Sequence, residues 1–107
     1  MGKNQKRAFY DLERRAHTYR PIEERIHDFR EVEVPPPPEI LKQQAERCMD
    51  CGIPFCHGTG CPLGNQIPEF NEAVANGRME EAWNLLSSTS CFPEFTSRIC
   101  PALCEGS

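Results

Sequence analysis

With 107 residues, 38% of them hydrophobic, and a mean hydropathy of −0.59, the chain has room for one small domain and too little apolar material for a large core. Its net charge of −4 is uneven: residues 1–47 hold ten Lys/Arg against nine Asp/Glu, whereas residues 48–107 hold two, Arg78 and Arg98, against seven. An acidic half of this kind excludes a nucleic-acid surface, which needs clustered cations to displace counterions, and no apolar run is long enough to cross a membrane.

The first twenty residues scatter Phe9, Tyr10, Leu12 and Tyr19 among charges. They read as an extended arm with a short helical piece near Asp11–Ala16, lying on a partner or another domain, or simply fraying as termini do. They carry no signal-peptide pattern, so a reducing cytoplasm is the expected compartment. Pro21 suits a first helical turn, and Ile22, Ile26 and Phe29 then recur at i, i+4 and i+7 as one apolar stripe. Pro35–Pro38 forces an extended, polyproline-like spacer; a role as an SH3-type ligand is the weaker reading. The spacer divides a leader arm, residues 1–34, from a cysteine-rich domain, residues 39–107. His17 and His27, among the leader's charges, read as plain surface residues.

Glu39–Arg47 reads as a short helix leading into Cys48. Residues 48–64 combine four cysteines with repeated glycine and proline, which makes them a loop. Ile67–Asn76 is expected to be helical with Phe70, Ala73 and Val74 inward, and Gly77 is the stop. Met79–Leu86 is a second helix, its apolar side made by Ala82, Trp83, Leu85 and Leu86, and Ser87–Ser90 ends it. Residues 92–107 read mostly as loop. No alternating strand pattern of useful length appears, so the expected class is all-α with cysteine-rich, metal-binding loops.

The cysteines run Cys48-x2-Cys51-x4-Cys56-x4-Cys61-Pro62, then Cys91, then Cys100-Pro101-x2-Cys104. Seven is odd, so full disulfide pairing would leave one thiol over. Cys-x2-Cys presents two sulfurs from one turn, a third follows a short loop, and a cysteine before proline donates from a rigid, non-helical backbone. In two-cluster ferredoxins the cysteine before proline serves the other cluster, and this chain has two Cys-Pro dipeptides. The resulting division gives Cys48, Cys51 and Cys56 to one cluster, and Cys61, Cys100 and Cys104 to a second. Zinc shares the Cys-x2-Cys unit and remains the rival; the x4 spacings and the double Cys-Pro favour iron–sulfur. Two all-cysteine [4Fe–4S] clusters need more thiolates than the chain has, so it is expected to be a fragment whose remaining ligands lie beyond Ser107. Cys91, without a near partner or a following proline, reads as a spare thiol. His57 reads as a neighbour of the centre or a solvent-facing residue. Arg98 either offsets cluster charge or is an ordinary surface arginine. No dinucleotide glycine fingerprint, phosphate loop, paired-carboxylate site or activated nucleophile is present, so the chain alone is not expected to be catalytic.

In the stretches Arg47-Cys-Met-Asp-Cys-Gly-Ile-Pro-Phe-Cys-His-Gly58 and Gly60-Cys-Pro-Leu-Gly-Asn-Gln-Ile-Pro-Glu-Phe-Asn71 the sequence resembles the glutamate synthase small (β) subunit family. The likeness continues through Asn76-Gly-Arg78 and Phe92-Pro-Glu-Phe-Thr-Ser-Arg-Ile-Cys-Pro-Ala-Leu-Cys-Glu-Gly-Ser107, and in the leader through Tyr19-Arg-Pro-Ile-Glu-Glu-Arg-Ile26. Dihydropyrimidine dehydrogenase has a similar N-terminal two-cluster domain with different surrounding words. The resemblance implies an α-helical ferredoxin-like fold and up to two [4Fe–4S] clusters, incomplete or absent in a fragment. It implies FAD and NADPH in a downstream domain, and electron flow from that flavin toward a large subunit that makes glutamate. It matches Cys48, Cys51 and Cys56 to the first family cluster and Cys61, Cys100 and Cys104 to the second, and it leaves Cys91 out. The other readings are a structural zinc module and the equivalent domain of a pyrimidine-reducing flavoenzyme.

Four thiolates make a cubane cluster anionic, and residues 48–107 add a net −5 of their own. Negative charge opposes the arrival of an electron, so the potentials should be low. A redox titration of the intact subunit is expected to find them low enough to suit a nicotinamide–flavin source; both clusters well above the nicotinamide couple would contradict it.

Overall fold

The computed structural model describes residues 5–16, 18–51 and 53–106; His17 therefore lies outside the described residues. The chain is mainly helical. α1 (Gln5–Asp11) opens it, followed by β1 (Thr18–Tyr19), α2 (Ile22–Arg25), β2 (Glu33–Val34) and α3 (Pro38–Glu46). After a π-helical turn at Cys56–Gly60 come α4 (Ile67–Ala75), α5 (Met79–Thr89), α6 (Pro93–Ile99) and a 3-10 turn at Leu103–Gly106.

The leader is more structured than its composition suggests. Its helix is α1, upstream of the expected Asp11–Ala16, and it packs on α3 with Ala8 buried and the Arg47 guanidinium 5.2 Å from the Phe9 ring centre. Residues 13–15 are extended, and Gln44 clasps them: its Nε2 donates to the Glu13 carbonyl and its Oε1 accepts from the Arg15 N–H, both at 3.0 Å. One side-chain amide thus replaces a neighbouring strand. β1 and β2 pair antiparallel, Thr18 opposite Val34 and Tyr19 opposite Glu33. This two-residue ladder was not anticipated, because it is too short to show alternation.

Between these strands the expected apolar stripe does not form a core face. α2 is a single turn, and Ile22, Ile26 and Phe29 are 61%, 69% and fully exposed. The loop is closed by polar contacts. Arg20 donates to both Asp28 oxygens at 3.0 and 2.7 Å, and Asp28 also accepts from the Arg30 N–H. The Arg20 bonds, then the Arg30 N–H, hold the Asp28 carboxyl below its usual range. Drawing Asp28 back onto Arg20 ends the helix before the stripe can continue.

Pro37 is extended (φ −57°, ψ 150°), and Pro38 already occupies the first turn of α3, where its missing N–H costs nothing. The last proline of the expected spacer is therefore helical. α3 packs on α4, and α4 on α5. The interior they share is small: the buried hydrophobic residues are Ala8, Ala45, Ala73, Ala75 and Ala82, and among the described residues no large side chain is fully buried. Ala73 faces inward as expected, with Phe70 and Val74 half-buried beside it. Trp83, expected in the core, is 53% exposed. Its neighbour Ala82 takes the inward position, and the next residue on a helix lies about 100° further round.

α4 ends in a full Schellman motif: Gly77 N–H donates to Val74 O at 3.0 Å and Arg78 N–H to Ala73 O at 2.8 Å, with Gly77 at φ +76°. α5 runs three residues beyond its expected end. The Ser88 hydroxyl donates to the Leu85 carbonyl at 2.7 Å, which accommodates serine within the last turn. α6 stands where loop was expected. Pro93 opens it, Glu94 lies in its first turn and Arg98 in its last, and Thr96 N–H donates to Phe92 O. Buried Ser90 pins it to α5 through Thr96 Oγ1 at 3.2 Å.

Gly77→Ala tests the α4 stop. A Cβ there meets no atom within 4 Å, so the cost is backbone conformation alone. About 1 kcal/mol is expected, a fall of about 4–8 °C in thermal midpoint, with Gly77→Asn losing less.

Candidate metal centre

Each cysteine segment is shaped by a local backbone feature. Cys48 sits just after α3, its N–H on the Ala45 carbonyl at 3.2 Å, and the chain then turns at Asp50, whose φ is +49°. That left-handed residue directs its own N–H to the Cys48 sulfur. Burial is the main influence raising the Cys48 thiol; the Cys56 thiol, the Asp50 carboxylate and the Cys51 thiol add to it, against the opposing Asp50 N–H. Cys51 and Cys56 therefore both lie near the Cys48 sulfur.

Cys56 begins the π-helical turn, which closes with the Cys61 N–H on the Cys56 carbonyl at 2.6 Å and Thr59 Oγ1 donating to Phe55 O at 3.2 Å. This turn packs against the 3-10 turn that carries Cys104. Burial again comes first in raising the Cys104 thiol, followed by Cys100, Glu105 and Cys56. Cys100 ends α6, and Ala102, left-handed at φ +53°, donates its N–H to the Cys100 sulfur at 3.3 Å. Cys56 thus stands between two groups, Cys48 with Cys51 and Cys104 with Cys100.

Cys61 differs from both. Burial acts to raise its thiol, but the N–H groups of Asn65, Leu63 and Gly64 and the Asn65 side chain outweigh it and leave it below the ordinary thiol value. Asn65 Nδ2 lies 3.4 Å from the sulfur. Gly64, at φ +63°, folds the segment back toward Cys61, its own N–H donating to the Cys61 carbonyl at 3.1 Å. Asn65 was not singled out in the sequence; its only signal is its place four residues after a Cys-Pro cysteine.

The candidate ligands from the sequence are thus placed as two neighbouring sets and one separately cradled sulfur. Among the described residues no three His, Cys, Asp or Glu side chains converge on a single metal position. Cys91 is an exposed free thiol in the loop between α5 and α6. His57 is half-buried in the π-helical turn, and His27 is exposed. Arg98 pairs with Glu31 of the leader at 2.8 Å and donates to the Glu94 carbonyl, so its place is structural. Arg14 pairs with Glu105 at 2.7 Å, a second tie from the leader to the Cys100–Cys104 segment. The thiol donor set, with N–H groups directed at the sulfurs of Cys48, Cys61 and Cys100, fits iron–sulfur chemistry, in which hydrogen bonds to sulfur offset thiolate charge.

Comparison with known proteins agrees. Residues 25–107, which include every cysteine, match the family described as dihydropyrimidine dehydrogenase domain II, 4Fe-4S cluster. Over 86 residues the chain is 57% identical to the glutamate synthase [NADPH] small chain of Mycobacterium tuberculosis, covering 80% of this chain and 17% of that protein. It is 44% identical over 108 residues to the Bacillus subtilis glutamate synthase [NADPH] small chain, covering 94% and 22%. It is 46% identical over 101 residues to the glutamate synthase [NADH] of Saccharomyces cerevisiae, covering 94% and 5%. The chain thus spans about a fifth or less of the length of these relatives.

The cysteines should differ in reactivity. The thiolate is the nucleophile, so a depressed pKa brings reactivity at lower pH and a raised one delays it. In metal-free protein, alkylation of Cys61 is expected to set in at lower pH than that of Cys48 or Cys104, read residue by residue by mass spectrometry. A reversed order would show that the N–H cradle does not govern Cys61.

Proposed function

Because the chain belongs to the family described as dihydropyrimidine dehydrogenase domain II, 4Fe-4S cluster, we propose that it is the electron-transfer module of a glutamate-synthase-type oxidoreductase. The observation that carries this reading is the span of the family match, which takes in all seven cysteines. The similarity to glutamate synthase chains supports the choice of enzyme over a pyrimidine-reducing one or a structural zinc module.

In this reading residues 39–107 form an α-helical ferredoxin-like domain, with residues 1–34 as a leader arm and 35–38 as a spacer. Cys48, Cys51 and Cys56 hold one [4Fe–4S] cluster and Cys61, Cys100 and Cys104 a second, each completed by a further ligand. Bound clusters supply one-electron storage between a two-electron donor and the site of use. The chain's own residues hold and tune: thiolates bind iron, and N–H groups from Asp50, Leu63, Asn65 and Ala102 face sulfur. FAD and NADPH belong to a downstream domain, the large subunit receives the electrons, and the compartment is the cytoplasm. Among the described residues no helix is long and apolar enough to cross a membrane.

The test is anaerobic reconstitution with iron and sulfide, followed by iron, sulfide and zinc analysis and an absorption spectrum, on this chain beside the full-length protein. Brown protein is expected, with iron and labile sulfide approaching two [4Fe–4S] clusters in the full-length protein. Stoichiometric zinc without iron in both would overturn the proposal.

A further inference from the structure

The Cys61 sulfur accepts a hydrogen bond whose donor is local but whose anchor is not. The backbone N–H groups of Leu63 and Asn65 lie toward the sulfur, while that of Gly64 donates to the Cys61 carbonyl at 3.1 Å. The hydrogen bond to the sulfur comes from the Asn65 side chain, with Nδ2 3.4 Å away. That amide is held from a different element: Thr89 Oγ1 lies 2.5 Å from Asn65 Oδ1, across 24 positions of sequence. The neighbouring pair repeats the link, with Gln66 Nε2 donating to Ser88 Oγ at 3.5 Å. Thr89 reaches Asn65 because α5 continues to that residue.

The chemistry fixes the direction of the chain of bonds. A thiolate sulfur accepts and has no proton to give, so the amide must turn its NH2 toward Cys61. Its oxygen then faces Thr89, whose hydroxyl is the donor. Polarising the amide oxygen in this way strengthens the N–H that points at sulfur. Both side chains are half-buried, which limits competition from water.

Resting on the ligand assignment above, we propose that Asn65 and Thr89 are positioning residues that set the reduction potential of the cluster held by Cys61. Reduction adds one electron, part of whose charge appears on the ligand sulfurs. A donor aimed at sulfur therefore stabilises the reduced form more than the oxidised form and raises the potential. Asn65 acts through the sulfur, and Thr89 acts through Asn65 by preventing the amide from rotating. The C-terminal turn of α5 is in this way tied to the cluster that Cys61 holds.

The experiment is a redox titration of the cluster-loaded, full-length protein, followed by electron paramagnetic resonance, with iron content measured on each sample. The variants are Asn65→Leu, Thr89→Val, Thr89→Ser and Cys61→Ser. Asn65→Leu is expected to lower the potential of one cluster, so that at a fixed applied potential its oxidised-to-reduced ratio rises by about threefold to tenfold, the worth of one such bond. Thr89→Val should shift the same cluster in the same direction by less, Thr89→Ser should restore it, and the other cluster should be unmoved. Equal potentials in wild type, Asn65→Leu and Thr89→Val at full iron content would overturn the proposal. If Asn65→Leu loses iron, the Thr89→Val and Thr89→Ser pair decides: no difference between them also overturns it. Cys61→Ser separates the two layers. A Cys61→Ser protein with unaltered iron and spectra would remove the ligand assignment and this inference together. An altered cluster in Cys61→Ser, with unshifted potentials in the other variants, would remove this inference alone.

Discussion

Close approach of helices through single methyl groups is the constraint on which this structure depends. α3 packs on α4 and α4 on α5, and the buried hydrophobic residues that they carry are Ala45, Ala73, Ala75 and Ala82, with Ala8 on α1. Small side chains let the helix axes come near, and the same smallness limits what burial can stabilise, at about 0.8 kcal/mol per carbon group. Phe29, Phe55, Phe92 and Trp83 remain outside this interior. A domain with such a core needs another source of cohesion, and small metal-binding domains take it from the metal. Cysteines carried on loops beside a thin alanine seam suit that arrangement.

The polar contacts supply geometry more than strength. Exposed ion pairs such as Arg14–Glu105 and Arg98–Glu31 contribute about 0–1 kcal/mol each, yet both join the leader to the segment around Cys100 and Cys104. The Gln44 clasp does the same for residues 13–15 and α3. Backbone strain is concentrated near sulfur. Asp50 and Ala102 are the described non-glycine residues with positive φ, and each turns an N–H onto a cysteine. Left-handed conformation costs about 1–2 kcal/mol for such residues. Both strained residues lie within two positions of a cysteine, where strain of that size more often belongs to a functional site than to ordinary packing.

The sequence carried α3, α4 and most of α5 in its apolar spacing, and Gly77 announced the end of α4. The cysteine spacing pointed to the iron–sulfur family that residues 25–107 match. Other features depend on facts that no local window contains. The stripe of Ile22, Ile26 and Phe29 has helical period, but period reports a face and not whether anything covers it. Trp83 is apolar but lies about 100° round the helix from buried Ala82, and hydrophobicity alone does not tell which of two neighbouring positions faces inward. α6 had its start and end signals in Pro93, Glu94 and Arg98, which the nearby cysteines obscured. β1 and β2 are set by pairing between residues fifteen or so apart, and Asn65 gained meaning only when Thr89 came alongside it.

The two ties from the leader also order events in time. Glu31 must wait for Arg98, 67 positions later, and Arg14 for Glu105, 91 positions later. A ribosome adding about 5–20 residues per second leaves the leader without these partners for about 3 to 18 seconds. By the later part of that interval Cys48, Cys51, Cys56 and Cys61 are already made while Cys100 and Cys104 are not. Formation of these two ties is therefore a late step, set by contacts distant in sequence, whereas the packing of α1 on α3 needs only residues made before Cys48.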